Sequence, residues 1–167
     1  MITRVRRAGV LAAVVLLAAG CSAGTREAGV QQGPYTVTRA VDGDTIRVMR
    51  EGQEVVIRLI GINTPETVAP DRPVECYGPE ASERTKQLVT GQQVWLEYDE
   101  ATGEKDKYDR TLAYVWLSPD RMLNETLVRE GYAEERTYQD GYRYQDLLRK
   151  AEDAAQAAGA GLWTACP

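Results

Sequence analysis

Four short polar clusters interrupt the apolar segments of this chain, and they hold residue types that acid–base and phosphate chemistry uses. They are Asp42-Gly-Asp44-Thr45, Arg58, Asn63-Thr-Pro-Glu66 and Asp106-Lys-Tyr-Asp-Arg110. Arg58 is the single charge within the apolar run at residues 55–60, so it needs a partner. Each cluster alone is typical of a turn or a solvated loop, whereas the combination is specific.

The lack of histidine narrows the chemistry. The 167 residues include no histidine and three cysteines, which excludes Ser-His-Asp triads, Cys-His pairs, histidine-ligated zinc and phosphohistidine transfer. Acid–base steps must therefore come from carboxylates, Lys, Tyr, Arg or a metal-bound water. The net charge of −5 argues against non-specific adhesion to nucleic acid, so any phosphate recognition has to be local.

The N-terminal 20 residues have the pattern of a secretory signal peptide. Three arginines precede an uncharged run at residues 8–19, which is too short to span a bilayer. Residues 17–21, Leu-Ala-Ala-Gly-Cys, resemble a lipobox, which predicts that Cys21 is lipidated and anchors the protein to the cell membrane. Simple secretion is the alternative, and both predict an extracytoplasmic protein.

The rest of the chain divides into two parts. Residues 21–33 are small and polar and predict a flexible tether, and residues 34–167 predict one folded domain. Because residues 1–20 carry three arginines and no acid, the processed chain keeps 17 basic and 25 acidic residues, a net charge of −8. Nothing in the sequence indicates more than a monomer.

Two cysteines, Cys76 and Cys166, lie in the predicted domain. An even pair in an oxidising compartment favours a disulfide, which would close a loop of about 90 residues. Two buried, unpaired thiols are the alternative.

Hydrophobic periodicity predicts a mixed α+β domain. Strands are predicted at residues 35–41, 45–50, 55–60, 94–98 and 112–117, and helices at residues 78–90, 122–128 and 144–155. Five short strands with a helix after the third match a five-stranded OB-fold β-barrel, here with three α-helices in all.

The clusters and their order resemble the thermonuclease (staphylococcal nuclease) family over residues 34–164. The matching segments are Val41-Asp-Gly-Asp-Thr45, Arg58-Leu-Ile-Gly-Ile-Asn-Thr-Pro-Glu66, Tyr77-Gly-Pro-Glu-Ala81, Asp106-Lys-Tyr-Asp-Arg-Thr-Leu-Ala-Tyr114 and Asn124-Glu-Thr-Leu-Val-Arg-Glu-Gly131. The resemblance implies a calcium-dependent phosphodiesterase that acts on DNA and RNA, prefers single strands and leaves 3′-phosphorylated products.

The resemblance also implies a role for individual residues. Calcium would be bound by Asp44, by the side chain at position 63 and by the backbone carbonyl of Thr64. Glu66 would be the general base, and Arg58 and Arg110 would stabilise the transition state. Calcium takes carboxylate and carbonyl oxygens and needs no histidine, which agrees with the composition.

Position 63 departs from the family pattern, because it is Asn63 and not aspartate. An amide oxygen can still bind calcium, but the site loses one negative charge, and we expect binding weaker by about one to two decades. Asp42, at the same turn, could compensate through an outer-shell contact.

Substrate contacts are implied at three further positions. Lys107 and Tyr108 match family residues that bind a terminal phosphate, and Tyr138 falls where the family has tyrosines for sugar and base contacts. Packing between helices is the alternative for the tyrosines. Acids at Glu134 and Glu135 predict repulsion of long polyanions and thus a preference for short substrates.

Two other functions compete with a nuclease. A catalytically weak OB-fold module that binds nucleic acid or protein is favoured by Asn63 and the net charge of −8. Retention of Arg58, Glu66 and Arg110 favours the enzyme. A carboxylate-pair glycosidase would also need no histidine, but it leaves the two arginines unexplained.

Overall fold

The computed structural model describes residues 29–67, 73–138 and 141–167. The predicted signal peptide, Cys21 and most of the predicted tether lie outside these ranges. The strands are β1 (Gln31–Ala40), β2 (Thr45–Arg50), β3 (Gln53–Leu59), β4 (Ile62–Asn63), β5 (Gln93–Glu97), β6 (Thr111–Ser118), β7 (Arg121–Met122) and β8 (Glu134–Glu135). The helices are α1 (Gly78–Val89), α2 (Leu123–Arg129), α3 (Gln145–Ala158) and α4 (Leu162–Ala165).

The five long strands pair in a ring. β1 lies antiparallel between β2 and β5, β2 pairs with β3, and β5 pairs with β6. β3 also pairs with β6 in parallel, residues 57–59 opposite residues 111–113. Each long strand therefore has two paired neighbours, the arrangement of an OB-type barrel, and the predicted mixed α+β fold is confirmed.

Alternation along the strands buries one face inside this ring. The buried apolar side chains that pack in one cluster include Ile46, Val48, Ile57, Leu59, Val94, Leu96, Val115, Leu123, Leu127 and Leu148. The last three belong to α2 and α3, so these two helices cover the open side of the barrel. The helices thus complete the core and hold the strand ends that carry the polar clusters.

A tight turn sets the register between β2 and β3. Glu51 and Gly52 both have positive φ, 52° and 79°, which is the backbone of a two-residue hairpin turn. The register that follows places Thr45 directly opposite Arg58. The polar turn before β2 and the charge within β3 are therefore neighbours.

The end of β3 is held by a buried amide on α2. Asn124, which is 0% exposed, accepts the backbone N–H of Val115 at 3.0 Å and donates to the carbonyl of Ile60 at 2.8 Å. Because both backbone groups would otherwise be buried without a partner, Asn124 fixes the path of the chain out of β3.

The structure differs from the sequence prediction in its shortest elements. β1 begins at Gln31, so residues 31–33, predicted as tether, lie in a strand. β4, β7 and β8 have two residues each and α4 has four, and such segments are too short to show a periodicity. None of the helices in the described ranges is long and apolar enough to cross a bilayer.

A disulfide joins Cys76, just before α1, to Cys166, just after α4, with a Cα–Cα distance of 5.8 Å. The two cysteines are 90 residues apart. The bond therefore ties the C-terminus to the segment that enters α1.

Replacing both cysteines by serine is expected to lower the free energy of unfolding by about 2–4 kcal/mol, because the unfolded chain regains the freedom of a long loop. Urea unfolding followed by tryptophan fluorescence measures the change. The wild-type protein under reducing conditions serves as the control and should match the variant. An unchanged urea midpoint would contradict the assignment of stability to this bond.

Candidate functional site

A buried ion pair lies where the β1–β2 turn meets β3. Asp44 Oδ2 lies 2.9 Å from Arg58 Nη2, and both side chains are less than a tenth exposed. The same oxygen accepts the backbone N–H of Thr64 at 3.1 Å, and Oδ1 accepts the Thr45 hydroxyl at 3.0 Å. One carboxylate thus brings together three of the residues that the sequence singled out.

Glycine is required within this turn. A Cβ atom on Gly43 would lie within 2.6–2.8 Å of the Thr64 side chain, so only glycine permits the approach. The carbonyl of Gly43 accepts the buried hydroxyl of Thr85 on α1 at 2.6 Å. Helix α1 therefore fixes the turn from outside the barrel.

Asp42 is a second carboxylate at the turn. Its Oδ1 accepts the backbone N–H of Asp44 at 3.1 Å. Burial, together with the neighbouring Asp44 carboxylate, raises the pKa of Asp42 to about 6 from its ordinary value of 3.8. Adding negative charge at this turn is therefore unfavourable unless a cation is present.

Asn63 and Tyr138 contact each other beside the ion pair. The Tyr138 hydroxyl donates to Asn63 Oδ1 at 3.2 Å and accepts from Arg58 Nη2 at 3.4 Å. Asn63 Nδ2 donates to the carbonyl of Thr64 at 3.3 Å. The pairing of Asn63 with Glu134 between β4 and β8 brings the Tyr138 segment to this point.

The oxygen atoms beside the Asp44–Arg58 ion pair are of the types that bind a hard cation. Asp44, Asn63 and the Thr64 carbonyl offer carboxylate, amide and backbone oxygens, the donor types that calcium prefers. Among the described residues no group of three or more acidic, histidine or cysteine side chains could hold a metal. A cation here would therefore depend on the mixed oxygen set.

A groove of about 670 Å³ opens beside the ion pair. Its lining includes the cations Arg58, Lys105, Lys107, Arg110 and Arg136 and the aromatic rings of Tyr108, Tyr138 and Tyr142. In a chain with a net charge of −5, this is a local concentration of positive charge next to stacking surfaces. Cations interleaved with aromatic rings are what a single-stranded nucleic acid requires.

Arg110 is held by Asp106 four residues before it. Arg110 Nε and Nη2 both lie 2.7 Å from Asp106 Oδ2, and Asp106 Oδ1 accepts the backbone N–H of Arg110 and of Tyr108. Burial alone would raise the pKa of Asp106, but the Arg110 hydrogen bonds outweigh it and hold that pKa below its usual range. The Tyr108 ring lies 5.0 Å from Lys107 Nζ and 5.3 Å from the Arg110 guanidinium carbon.

Glu66 is held through its main chain by Glu75. The Glu66 N–H donates to Glu75 Oε2 and the Glu75 N–H donates to the Glu66 carbonyl, both at 2.9 Å. Glu66 Oε1 accepts the N–H of Thr67 at 2.9 Å. Glu66 is half-buried, and among the described residues it does not line the groove with Arg58 and Arg110.

The sequence patterns indicated no individual role for three residues of the site, Asp106, Glu75 and Arg136. Asp106 lay inside a recognised cluster without a role, whereas nothing in the sequence signalled Glu75 or Arg136. Glu75 binds the backbone N–H of Glu66, nine residues earlier, and the segment between them is irregular and shows no hydrophobic periodicity. Arg136 reaches the groove because its segment follows β8, a strand of two residues.

The repulsion of polyanions predicted for Glu134 and Glu135 depends on how close the two carboxylates lie to the groove, and it stays a prediction. Neither residue is among those described as lining the groove. The Glu135 carboxylate accepts the hydroxyls of Thr137 at 2.6 Å and Tyr142 at 2.7 Å. Its charge is thus directed into the β8–α3 region.

Residues 56–165 match the family described as "Staphylococcal nuclease homologue". The thermonuclease of Staphylococcus hyicus is 47% identical over 143 residues, which cover 86% of this chain and 82% of that protein. The thermonuclease of Staphylococcus intermedius is 47% identical over 129 residues, 77% of this chain and 75% of that protein. Endonuclease YncB of Bacillus subtilis is 38% identical over 130 residues, 77% of this chain and 61% of that protein.

Replacing Asp42 by Asn is expected to stabilise the calcium-free protein at pH 7 but not at pH 4. Because the pKa of Asp42 is raised on folding, its ionisation opposes folding, and this cost grows between pH 4 and about pH 6. The asparagine Oδ1 can still accept the Asp44 N–H, so the gain at pH 7 should be about 1–3 kcal/mol. Urea unfolding in EDTA at both pH values measures it, and an equal effect at both would contradict the cause.

Proposed function

Because the chain belongs to the staphylococcal nuclease homologue family, we propose that it is a calcium-dependent nuclease that hydrolyses DNA and RNA to 3′-phosphorylated products. The observation that carries this proposal is the groove lined by both Arg58 and Arg110, beside the oxygen donors of the Asp44 turn. Two guanidinium groups at one groove suit a phosphate, whose oxygens accept their hydrogen bonds.

The oxygen donors fit calcium as the resident ion. Asp44, Asn63 and the Thr64 carbonyl would hold it, with Asp42 as a further acidic group at the same turn. When bound there, calcium would neutralise charge on a non-bridging phosphate oxygen.

The two arginines supply the rest of the charge stabilisation. Each is already oriented by a carboxylate, Arg58 by Asp44 and Arg110 by Asp106. Their charge is permanent, and their N–H groups can donate to phosphate oxygens as negative charge develops. Little reorganisation is then needed during the reaction.

Glu66 is the proposed general base. The bonds with Glu75 fix its main chain, and the Thr67 N–H orients its carboxylate. Glu66 would accept the proton of the attacking water as the new bond to phosphorus forms. The bond between phosphorus and the 5′ oxygen then breaks, the 5′ oxygen takes up a proton from solvent water to become a hydroxyl, and the phosphate remains on the 3′ side.

The groove favours a single strand as substrate. Lys107 and Arg110 lie beside the Tyr108 ring, and Tyr138 lines the same groove, in contact with Arg58. Bases that leave the duplex stack can lie on such rings while the cations follow the backbone. Single-stranded DNA and RNA are therefore the proposed partners.

An extracytoplasmic location belongs to the same proposal. The Cys76–Cys166 disulfide supports it, because such bonds persist in oxidising compartments. Lipidation of Cys21 would anchor a monomer to the cell membrane through the residues that precede β1. Mass spectrometry of the processed N-terminus would detect the lipid or its absence.

Glu66→Gln and Arg110→Ala are each expected to lower kcat on heat-denatured DNA by about 10²–10⁴-fold, because one removes the base and the other a charge on the transition state. Cleavage by the wild-type protein should rise with calcium and stop with EDTA. Glu51→Gln and Arg121→Ala, which change exposed residues outside the groove, are the matched controls.

No cleavage at millimolar calcium by folded wild-type protein would contradict the nuclease. It would favour the binding module instead, with Asn63 as the residue that weakened the metal site.

Asn63→Asp is expected to lower the calcium concentration for half-maximal activity by about 10–100-fold, because it restores one negative charge to the ligand set. Calorimetric titration with calcium alone should give the same shift in Kd. The Tyr138 hydroxyl can still donate to the new carboxylate, so that contact is not the variable. An unchanged calcium requirement in both assays would show that Asn63 costs the site nothing.

A further inference from the structure

We propose that Arg136 binds a substrate phosphate next to the scissile one and makes the protein select polynucleotides over dinucleotides. The inference rests on the proposed nuclease function and adds a subsite to it. Arg136 is exposed and lines the same groove as Arg58 and Arg110.

The position of Arg136 is fixed by Gly61. The Arg136 N–H donates to the carbonyl of Gly61 at 2.9 Å, and the Tyr142 hydroxyl, whose proton is donated to Glu135, lies 3.2 Å from the same carbonyl. Gly61 has a φ of 74°, and a Cβ atom there would lie 2.5 Å from the Tyr142 ring. Glycine thus lets the Tyr142 ring lie directly against the chain leaving β3, at the carbonyl that the Arg136 N–H binds.

Arg136 is also close to the reacting position. Gly61 is three residues beyond Arg58, so their Cα atoms are at most about 10 Å apart. Two residues beyond Arg136, the Tyr138 hydroxyl contacts both Arg58 and Asn63. The backbone of a strand whose scissile phosphate is held by Arg58 therefore passes within reach of Arg136.

The charge of Arg136 is available to a ligand. Three other groove cations each have a carboxylate partner: Arg58 with Asp44, Lys105 with Asp109 and Arg110 with Asp106. Within residues 29–67, 73–138 and 141–167, Arg136 makes no ion pair. A phosphate can bind it without first displacing an acid of those ranges.

The Glu135 carboxylate next to Arg136 does not cancel its charge at the groove. Glu135 is engaged by Thr137 and Tyr142 and lies 3.5 Å from Arg149 of α3. Alternate residues of this extended segment point in opposite directions, which puts Arg136 on the groove side. A single strand that extends past the scissile phosphate therefore gains a contact that a dinucleoside monophosphate, with one phosphate, cannot make.

Salt dependence of binding tests the contact without catalysis. Binding of a fluorescent single-stranded oligothymidylate is measured by anisotropy in EDTA, at salt concentrations between 50 and 200 mM. Loss of one phosphate contact should lower the slope of log K against log[salt] by about 0.7 in Arg136→Gln. Over that fourfold salt range, the wild-type affinity should then fall by about 2.6-fold more than that of the variant.

Arg121→Gln is the matched control, because it removes the same charge from an exposed residue that does not line the groove. Its slope should equal that of the wild type, and Arg136→Lys should restore the slope. With calcium, Arg136→Gln should raise KM for the oligonucleotide severalfold and leave kcat/KM for a dinucleoside monophosphate unchanged.

Equal slopes for Arg136→Gln and Arg121→Gln would overturn the subsite, as would an equal loss of activity on the dinucleoside monophosphate. Failure of the wild type to bind the oligonucleotide would overturn it as well. A wild type that binds in EDTA but does not cleave with calcium would instead refute the nuclease, and the slopes would still decide the role of Arg136.

Discussion

The site depends on one buried negative charge, the Asp44 carboxylate. The carboxylate oxygens accept hydrogen bonds from Arg58, Thr45 and Thr64. The backbone carbonyl of Asp44 accepts the N–H of Leu59. A buried carboxylate is tolerated only when it is paired and hydrogen-bonded, so these contacts define where the turn, β3 and the segment after β4 meet. The register of the β2–β3 hairpin and the close approach of Gly43 to Thr64 allow these contacts to form.

The pairing of arginines with carboxylates orients the cationic side chains of the groove before an anion binds. Carboxylates orient the guanidinium groups of Arg58 and Arg110 while leaving both at the groove wall. A phosphate can accept hydrogen bonds from the guanidinium N–H groups that no carboxylate engages, or it can replace the carboxylate as their acceptor. Since the chain has no histidine, the proposed reaction gives proton transfer to a carboxylate, Glu66, while other carboxylates orient the arginines and would bind the metal ion.

Sequence patterns predicted the long strands and the polar clusters because these depend on local periodicity and on residues close together in the chain. They could not predict that Tyr138 contacts Asn63 and Arg58, since that requires the pairing of β4 with β8, two residues each. For a related reason, they could not show that the Glu135 carboxylate is engaged by Thr137 and Tyr142. Charge can be counted from the sequence, but the direction of a side chain depends on such short pairings.

The disulfide has a consequence for the fate of a damaged molecule. The chain between Cys76 and Cys166 contains the helices α1 to α4 and the strands β5 to β8. A single peptide-bond cut by a protease anywhere between the two cysteines, for example in the exposed turn at Gly103, leaves both fragments covalently joined. The two pieces stay at a high local concentration and can reassociate, so one nick does not separate the residues before Gly103 from Arg110 and Arg136.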